Sequence, residues 1–107
     1  MYYVLTETQS FEIASEDLPE KMEWLEALEA SRKVGDRWRM PNLPELELMY
    51  VLHQKAIGNF KNDTYLSSEG VNKYTNKSKS FISGTIYGSH STKRPVPKEW
   101  VRLVRNI

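Results

Sequence analysis

Apolar positions fall into two helix-like stretches in the first half of the chain and into short, broken runs in the second. Tyr2–Thr8 is rich in aromatic and branched residues and predicts a short strand. Leu18, Met22, Leu25 and Leu28 recur at helical spacing, with Trp24 at the edge of the stripe, and predict a first helix over about residues 18–34. Asp17 suits its N-cap, with Pro19 in the first turn and Glu20 at the box position. Glu29 and Lys33 stand four apart in the favourable order, and Gly35 is a natural stop. Asn42 caps a second helix, with Glu45 at its box position and Pro44 in the first turn. Leu43, Leu46, Met49, Tyr50, His53 and Ile57 share one face of it, and Gly58 ends it. Leu48, Val51 and Leu52 lie off that face, so this helix is apolar most of the way round. Such a helix is buried between layers or meets a partner.

From Asn59 onward the helical period is lost. Tyr65–Ser68 predicts a brief strand and Asn72–Lys79 a polar loop. Phe81–Tyr87 reads as a strand broken at Gly84 by a bulge or a close backbone approach. Gly88–Pro97 reads as a second loop and Trp100–Ile107 as a closing strand. A strand, two helices and then several strands signal an α+β fold rather than alternating βαβ units. The 107 residues form one domain, 1–107, with no repeat or linker.

The chain has no cysteine, which excludes a disulfide framework, cysteine-ligated zinc and thiol catalysis. No apolar run approaches the roughly 20 residues of a membrane span. The start lacks a basic segment followed by a long apolar core, so no signal peptide is read there, and the expected location is the cytoplasm or a virion. The formal net charge of +1 hides an asymmetry. Residues 1–50 carry 11 acidic and 5 basic side chains (5 − 11 = −6), and residues 51–107 carry 3 and 10 (10 − 3 = +7). Either the halves fold against each other and the charge averages out, or the second half offers a basic face to an anionic partner.

Three motifs stand in order along the chain. Trp38-Arg39-Met40-Pro41 runs into the capped helix with Glu45-Leu46. Tyr65-Leu66-Ser67-Ser68-Glu69 follows, and Val101-Arg102-Leu103-Val104-Arg105 closes the sequence. Trp38 can bury a large apolar area. The planar fork of Arg39 suits a half-buried carboxylate, with Glu45 and Glu69 as candidates.

In these motifs the chain, from about Trp24 to Ile107, resembles the C-terminal domain family of collagen-like bacterial adhesins. That family is a C-type-lectin-like group related in fold to formylglycine-generating enzymes. The resemblance implies two helices on a small twisted, mainly antiparallel sheet in which the first and last strands pair, joining Tyr2–Thr8 to Trp100–Ile107. It implies scaffold roles for Trp38, Arg39, Pro41, Glu45, Ser67, Ser68, Arg102 and Arg105. Leu66 stands where the family usually has tryptophan. The cysteine pair that serves formylglycine generation is missing, so that activity is not implied.

No enzyme is read from the residues. The oxygen-rich motifs of calcium-dependent lectins are missing, with only Lys61-Asn62-Asp63 and Glu69 in their place, so no metal and no cofactor is expected. His53 lies within an apolar stripe and reads as a hydrogen-bonded core residue, and His90 lies among serines with no acid beside it. Ser67 and Ser68 are not in a nucleophile elbow, and no phosphate-binding glycine loop is present. The late polar segments interleave asparagine, tyrosine and basic residues, a composition suited to recognition. The candidate ligand-binding residues are Asn62, Tyr65, Asn72, Tyr74, Asn76, Tyr87, His90, Lys93 and Arg94.

The leading functional reading is a non-enzymatic recognition or adhesion domain that binds a glycan or protein on a cell or particle surface, as a phage virion or surface protein. The alternative is a structural, homo-oligomeric component of a phage particle, supported by the extra apolar surface at Leu48, Val51 and Leu52. A polyanion binder using the basic second half is the third, though no nucleic-acid-binding motif is found.

Overall fold

The structure, a computed structural model, describes residues 2–6, 9–72, 75–90 and 97–107. It is α+β, with two helices and two small antiparallel sheets. The elements are β1 (Tyr2–Leu5), β2 (Ser10–Ile13), α1 (Trp24–Val34), α2 (Leu43–Gln54), β3 (Thr64–Asn72), β4 (Thr75–Ser80), β5 (Ile86–His90) and β6 (Val104–Asn106). The first sheet has the order β1-β2-β6 and the second β3-β4-β5.

The two ends of the chain share the first sheet, but the pairing differs from the expectation. β1 folds back on β2 as a hairpin, Tyr2 opposite Ile13 and Leu5 opposite Ser10. It is β2 that pairs with the C-terminal strand, Ile13 opposite Val104. The tight return at Thr6–Gln9, where the Thr6 N–H donates to the Gln9 carbonyl at 2.7 Å, makes the local partner the nearest one. The sheet expected to be single is also split in two, because β3–β5 form a separate meander.

Helix α2 begins as its sequence predicts. The Asn42 side chain accepts from the Glu45 N–H at 2.8 Å, and the Glu45 carboxylate accepts in return from the Asn42 N–H at 2.9 Å. Helix α1 is shorter than expected. Residues 18–22, bent at Pro19 and Glu20, lie beside the C-terminal segment, with the Leu18 N–H donating to the Val101 carbonyl and the Met22 N–H to that of Glu99. The helix starts instead at Trp24, where Glu26 reaches back to the Glu23 N–H. Its inward face is therefore set by Ala27 and Ser31, and Leu25, expected in the stripe, is exposed.

Asp17 caps nothing. Its carboxylate is buried and accepts from Arg102 Nε at 2.7 Å, the Tyr65 hydroxyl at 2.8 Å and Lys61 Nζ at 2.7 Å. Arg102 is itself 1% exposed and donates further to the carbonyls of Ala14, Gly58 and Asn59. Gly58 sits at φ +100°, and a side chain there would run into the Phe60 ring, so the turn that delivers the Gly58 and Asn59 carbonyls needs glycine.

Two apolar clusters lie on either side of β3. Tyr65 joins Phe11, Ile13, Leu46, Met49, Phe60, Phe81 and Val104. Its neighbour Leu66 points the other way, into Ala27, Met40, Val101 and Leu103 under α1. Leu48 and Leu52 of α2 pack half-buried on the first cluster, and only Val51 of the off-face residues is exposed.

The polar segment expected as a loop over Asn72–Lys79 contains β4, the central strand of the second sheet. The strand expected over Phe81–Tyr87 is instead a turn, from which β5 starts at Ile86. The strand at Tyr65–Ser68 is longer than expected, and the closing strand is shorter. Residues 91–96 of the expected second loop lie outside the described residues.

The two readings of Asp17 differ in energy. Loss of a helix cap costs about 1 kcal/mol, whereas removing one partner of a buried ion pair costs ~3–5 kcal/mol. Asp17→Ala is expected to lose the larger amount in urea unfolding followed by circular dichroism. A loss near the smaller value would show that the Arg102 cluster does not carry the fold.

Candidate recognition surface

The scaffold residues of the three motifs are tied into the fold. Arg39 forms a two-pronged pair with Glu45, Nη1 to Oε1 and Nη2 to Oε2 both at 2.7 Å, and also donates to Asn106 Oδ1. The hydrogen bond to Glu45 holds the Arg39 pKa above its usual value, with burial opposing. Glu69, the other candidate carboxylate, accepts instead from the Leu43 N–H at 2.6 Å, at the positive end of α2. The Pro41 carbonyl accepts from the Ser68 N–H, the Ser67 hydroxyl donates to the Lys77 carbonyl at 2.6 Å, and the Ser67 carbonyl accepts from the Trp24 indole. Arg105 pairs with Glu12 and Asp36 and lies 4.4 Å over the Trp38 ring. Its pKa is raised, first by the Glu12 hydrogen bond.

The nine candidate ligand-binding residues scatter. Tyr65 is fully buried on β3, its hydroxyl donating to Asp17 and accepting from the Lys61 N–H at 3.0 Å. Asn76 is buried on β4, and its Nδ2 has no partner among the described residues. These two were expected in exposed segments; packing on both faces of the second sheet encloses them. Asn62 is exposed and shares a 2.8 Å hydrogen bond with Nε2 of His53. The His53 ring packs 5.6 Å from Phe81, in keeping with the hydrogen-bonded, apolar setting expected for it. Tyr87 is 48% exposed on β5. The side chains of Asn72 and His90, and the whole of Tyr74, Lys93 and Arg94, lie outside the described residues.

A feature not read from the sequence is the β4–β5 hairpin, which displays Ile82, Ile86 and Tyr87 to solvent. Its turn is closed by Ser80, whose Oγ accepts from the N–H groups of Ile82 and Ser83, and by the Gly84 N–H donating to the Ser80 carbonyl. Lys79, 2% exposed beneath it, donates to the Gly84 carbonyl at 2.7 Å and to Glu47 at 2.6 Å, with its ammonium 5.1 Å from the Tyr50 ring. Gly84 at φ +79° packs so closely on Tyr50 that a side chain would not fit without a shift. The exposed apolar residues thus sit on a turn fixed from below. The sequence signal for it was Ser83-Gly84-Thr85 splitting two apolar pairs, a turn pattern rather than a bulge.

A second surface surrounds Trp100. Lys61 lies 4.2 Å over its ring, and its indole donates to Asp63, which also pairs with Lys21 at 3.0 Å. Burial pushes the Asp63 pKa up, but the Thr64 N–H, Lys21 and Trp100 outweigh it and leave it lowered. A shallow apolar cavity of about 260 Å³ opens between Ala14, Leu18, Val34, Trp38 and Leu103. That is below the usual range of ligand sites and fits a single side chain. Among the described residues no three His, Asp or Glu side chains stand together as metal ligands, and no helix is long and apolar enough to cross a membrane.

No family model matches the chain, and no curated protein matches it in sequence.

Burial, as the main cause, raises the Tyr65 pKa well above its usual value near 10. The folded chain therefore keeps a proton that the unfolded chain gives up, and its contribution to stability is complete below pH ~10 and fades above it. Between pH 10 and 11.5, wild-type stability in urea should fall more steeply than that of Tyr65→Phe, by about 1.4 kcal/mol per pH unit. Parallel slopes would mean that the phenol ionises freely in the folded state.

Proposed function

We propose that this chain is a non-enzymatic recognition domain of C-type-lectin-like architecture, akin to the C-terminal domains of collagen-like bacterial adhesins. It contacts a glycan or protein on a cell or particle surface through its second sheet. The observation that carries this reading is the β4–β5 hairpin. Its turn is locked by the buried Lys79, while Ile82, Ile86 and Tyr87 face solvent at 69%, 49% and 48% exposure. Three large apolar or aromatic side chains are thus exposed along one short hairpin, Ile86 and its neighbour Tyr87 on opposite faces of β5. A pre-fixed turn also loses little freedom when it binds. The C-type-lectin-like reading is supported by β2–β6 pairing, which brings both ends of the chain into one sheet, and by the second sheet mounted beside it. The non-enzymatic reading is supported by the charged residues of the three motifs, whose carboxylates and guanidinium groups complete one another in the scaffold.

A second reading, a homo-oligomeric component of a phage particle, is favoured by a different surface: Tyr3 and Leu5 on β1 are 60% and 72% exposed.

The recognition reading is tested with labelled, folded protein on a glycan array and on intact bacterial cells. Bound signal is expected, and the double variant Ile86→Ser, Tyr87→Ala should weaken it at least about tenfold, the loss of roughly 1.4 kcal/mol, with an unchanged melting temperature. Blank arrays and blank cells with folded protein would count decisively against it.

A further inference from the structure

Three of the four sheet edges have a neighbour or leave the described residues. On β6, Val104 exchanges backbone hydrogen bonds with Arg39, both at 2.8 Å. On β3, Leu66 and Thr64 bond to Trp100, and Ser68 bonds to Pro41. β5 runs directly into residues outside the described set. β1 is different: among the described residues, no backbone hydrogen bond reaches the outer side of Tyr2–Leu5.

The groups facing outward follow from the ladder. The Ala14 N–H donates to Leu103, so Glu12 and Ala14 turn their backbone groups to β6, and Phe11 and Ile13 turn theirs to β1. Phe11 and Ile13 oppose Val4 and Tyr2. The N–H and C=O groups of Tyr3 and Leu5 therefore point away from the sheet. The side chains of these same two residues are exposed, while Val4 packs on the core. The strand carries no charge and no proline, two of the devices that commonly blunt an edge.

We propose that a second copy of this chain docks on β1, strand against antiparallel strand about a two-fold axis at Val4. The register is dictated by the outward groups. Tyr3 meets Leu5 of the other copy as a hydrogen-bonded pair, Leu5 meets Tyr3 in the same way, and Val4 meets Val4 as the non-bonded pair between them. Each aromatic ring then lies across from an aliphatic side chain on the same face, a favourable cross-strand pair. The uncharged strand meets its copy without repulsion, and the symmetry makes the contact self-closing rather than fibre-forming. A four-residue edge buries less than the roughly 800 Å² per partner of a tight complex, so the dimer is concentration-dependent. This inference does not rest on the recognition reading.

Sedimentation equilibrium of the full chain from about 1 µM to about 1 mM tests it. The mass is expected to climb from one chain towards two. Leu5→Lys, which places like charges across the axis, and Tyr3→Pro, which removes an outward N–H and the ring paired with Leu5 but no bond to β2, should each move the midpoint up at least tenfold with the melting temperature kept. Val4→Cys reads the register, because non-bonded antiparallel partners stand about 4.5 Å apart between Cα atoms, within disulfide reach, and the chain has no cysteine of its own. It should oxidise to a covalent dimer at least tenfold faster than Thr6→Cys. A single chain at all concentrations overturns the proposal. So does a dimer indifferent to whichever edge variants fold, or one in which Val4→Cys has no advantage.

Discussion

Arg102 carries a full charge at 1% exposure, and it and its partners come from three distant parts of the chain. Asp17 and Ala14 follow β2, Gly58 and Asn59 follow α2, and Arg102 itself precedes β6. Burying such a charge costs several kcal/mol unless its donors are met with good geometry. Here Nε, Nη1 and Nη2 all have acceptors, and the Phe60 ring lies 4.3 Å from the guanidinium. The penalty is therefore offset only when all three segments are in place together. That makes the cluster a constraint on topology more than a source of net stability. It holds Asp17 beside the segment that precedes β6, where Leu18 and Met22 bond to Val101 and Glu99, and α1 begins only at Trp24.

The charge asymmetry has the same origin. Six of the eight ion pairs among the described residues join an acid or base of residues 1–50 to its opposite in residues 51–107, and the two exceptions are Arg39–Glu45 and Arg32–Glu29. In these pairs, four bases of the second half meet acids of the first. Lys61, Lys79, Arg102 and Arg105, which a polyanion surface would need free, are engaged with carboxylates.

What could be read from the sequence was what local chemistry decides. The Asn42–Glu45 box, the start of α2, the stop at Gly35 and the Arg39–Glu45 pair all lie within a few residues of their partners. Asp17 misled for the same reason. Asp-Leu-Pro-Glu is a sound cap signature, yet the carboxylate is claimed by an arginine 85 residues away. β4 was hidden because Thr-Asn-Lys-Ser-Lys-Ser contains no apolar residue for a period to register. Its side chains are enclosed by packing on the faces of the sheet, and the Lys79 ammonium bonds at the hairpin. Asn76 falls in the segment whose polar composition suggests an exposed loop, and Tyr65 in a strand read as exposed, whereas the second sheet buries both.

Lys79 also links the scaffold to the surface it presents. A polar central strand with a lysine beneath a turn is a poor way to gain stability, because a buried ammonium is costly to desolvate. It is an effective way to fix a backbone, because the ammonium needs the Gly84 carbonyl and the Glu47 carboxylate at once, and these lie on the hairpin and on α2. An apolar side chain at position 79 would satisfy the core but leave the turn free to shift relative to the helix. With the lysine, the positions of Ile82 and Ile86 follow from the same polar contacts that hold α2 against the second sheet. Their solvent exposure is then a property of the fold rather than of a loosely attached loop, which suits the proposed recognition role because a fixed group loses little freedom on binding.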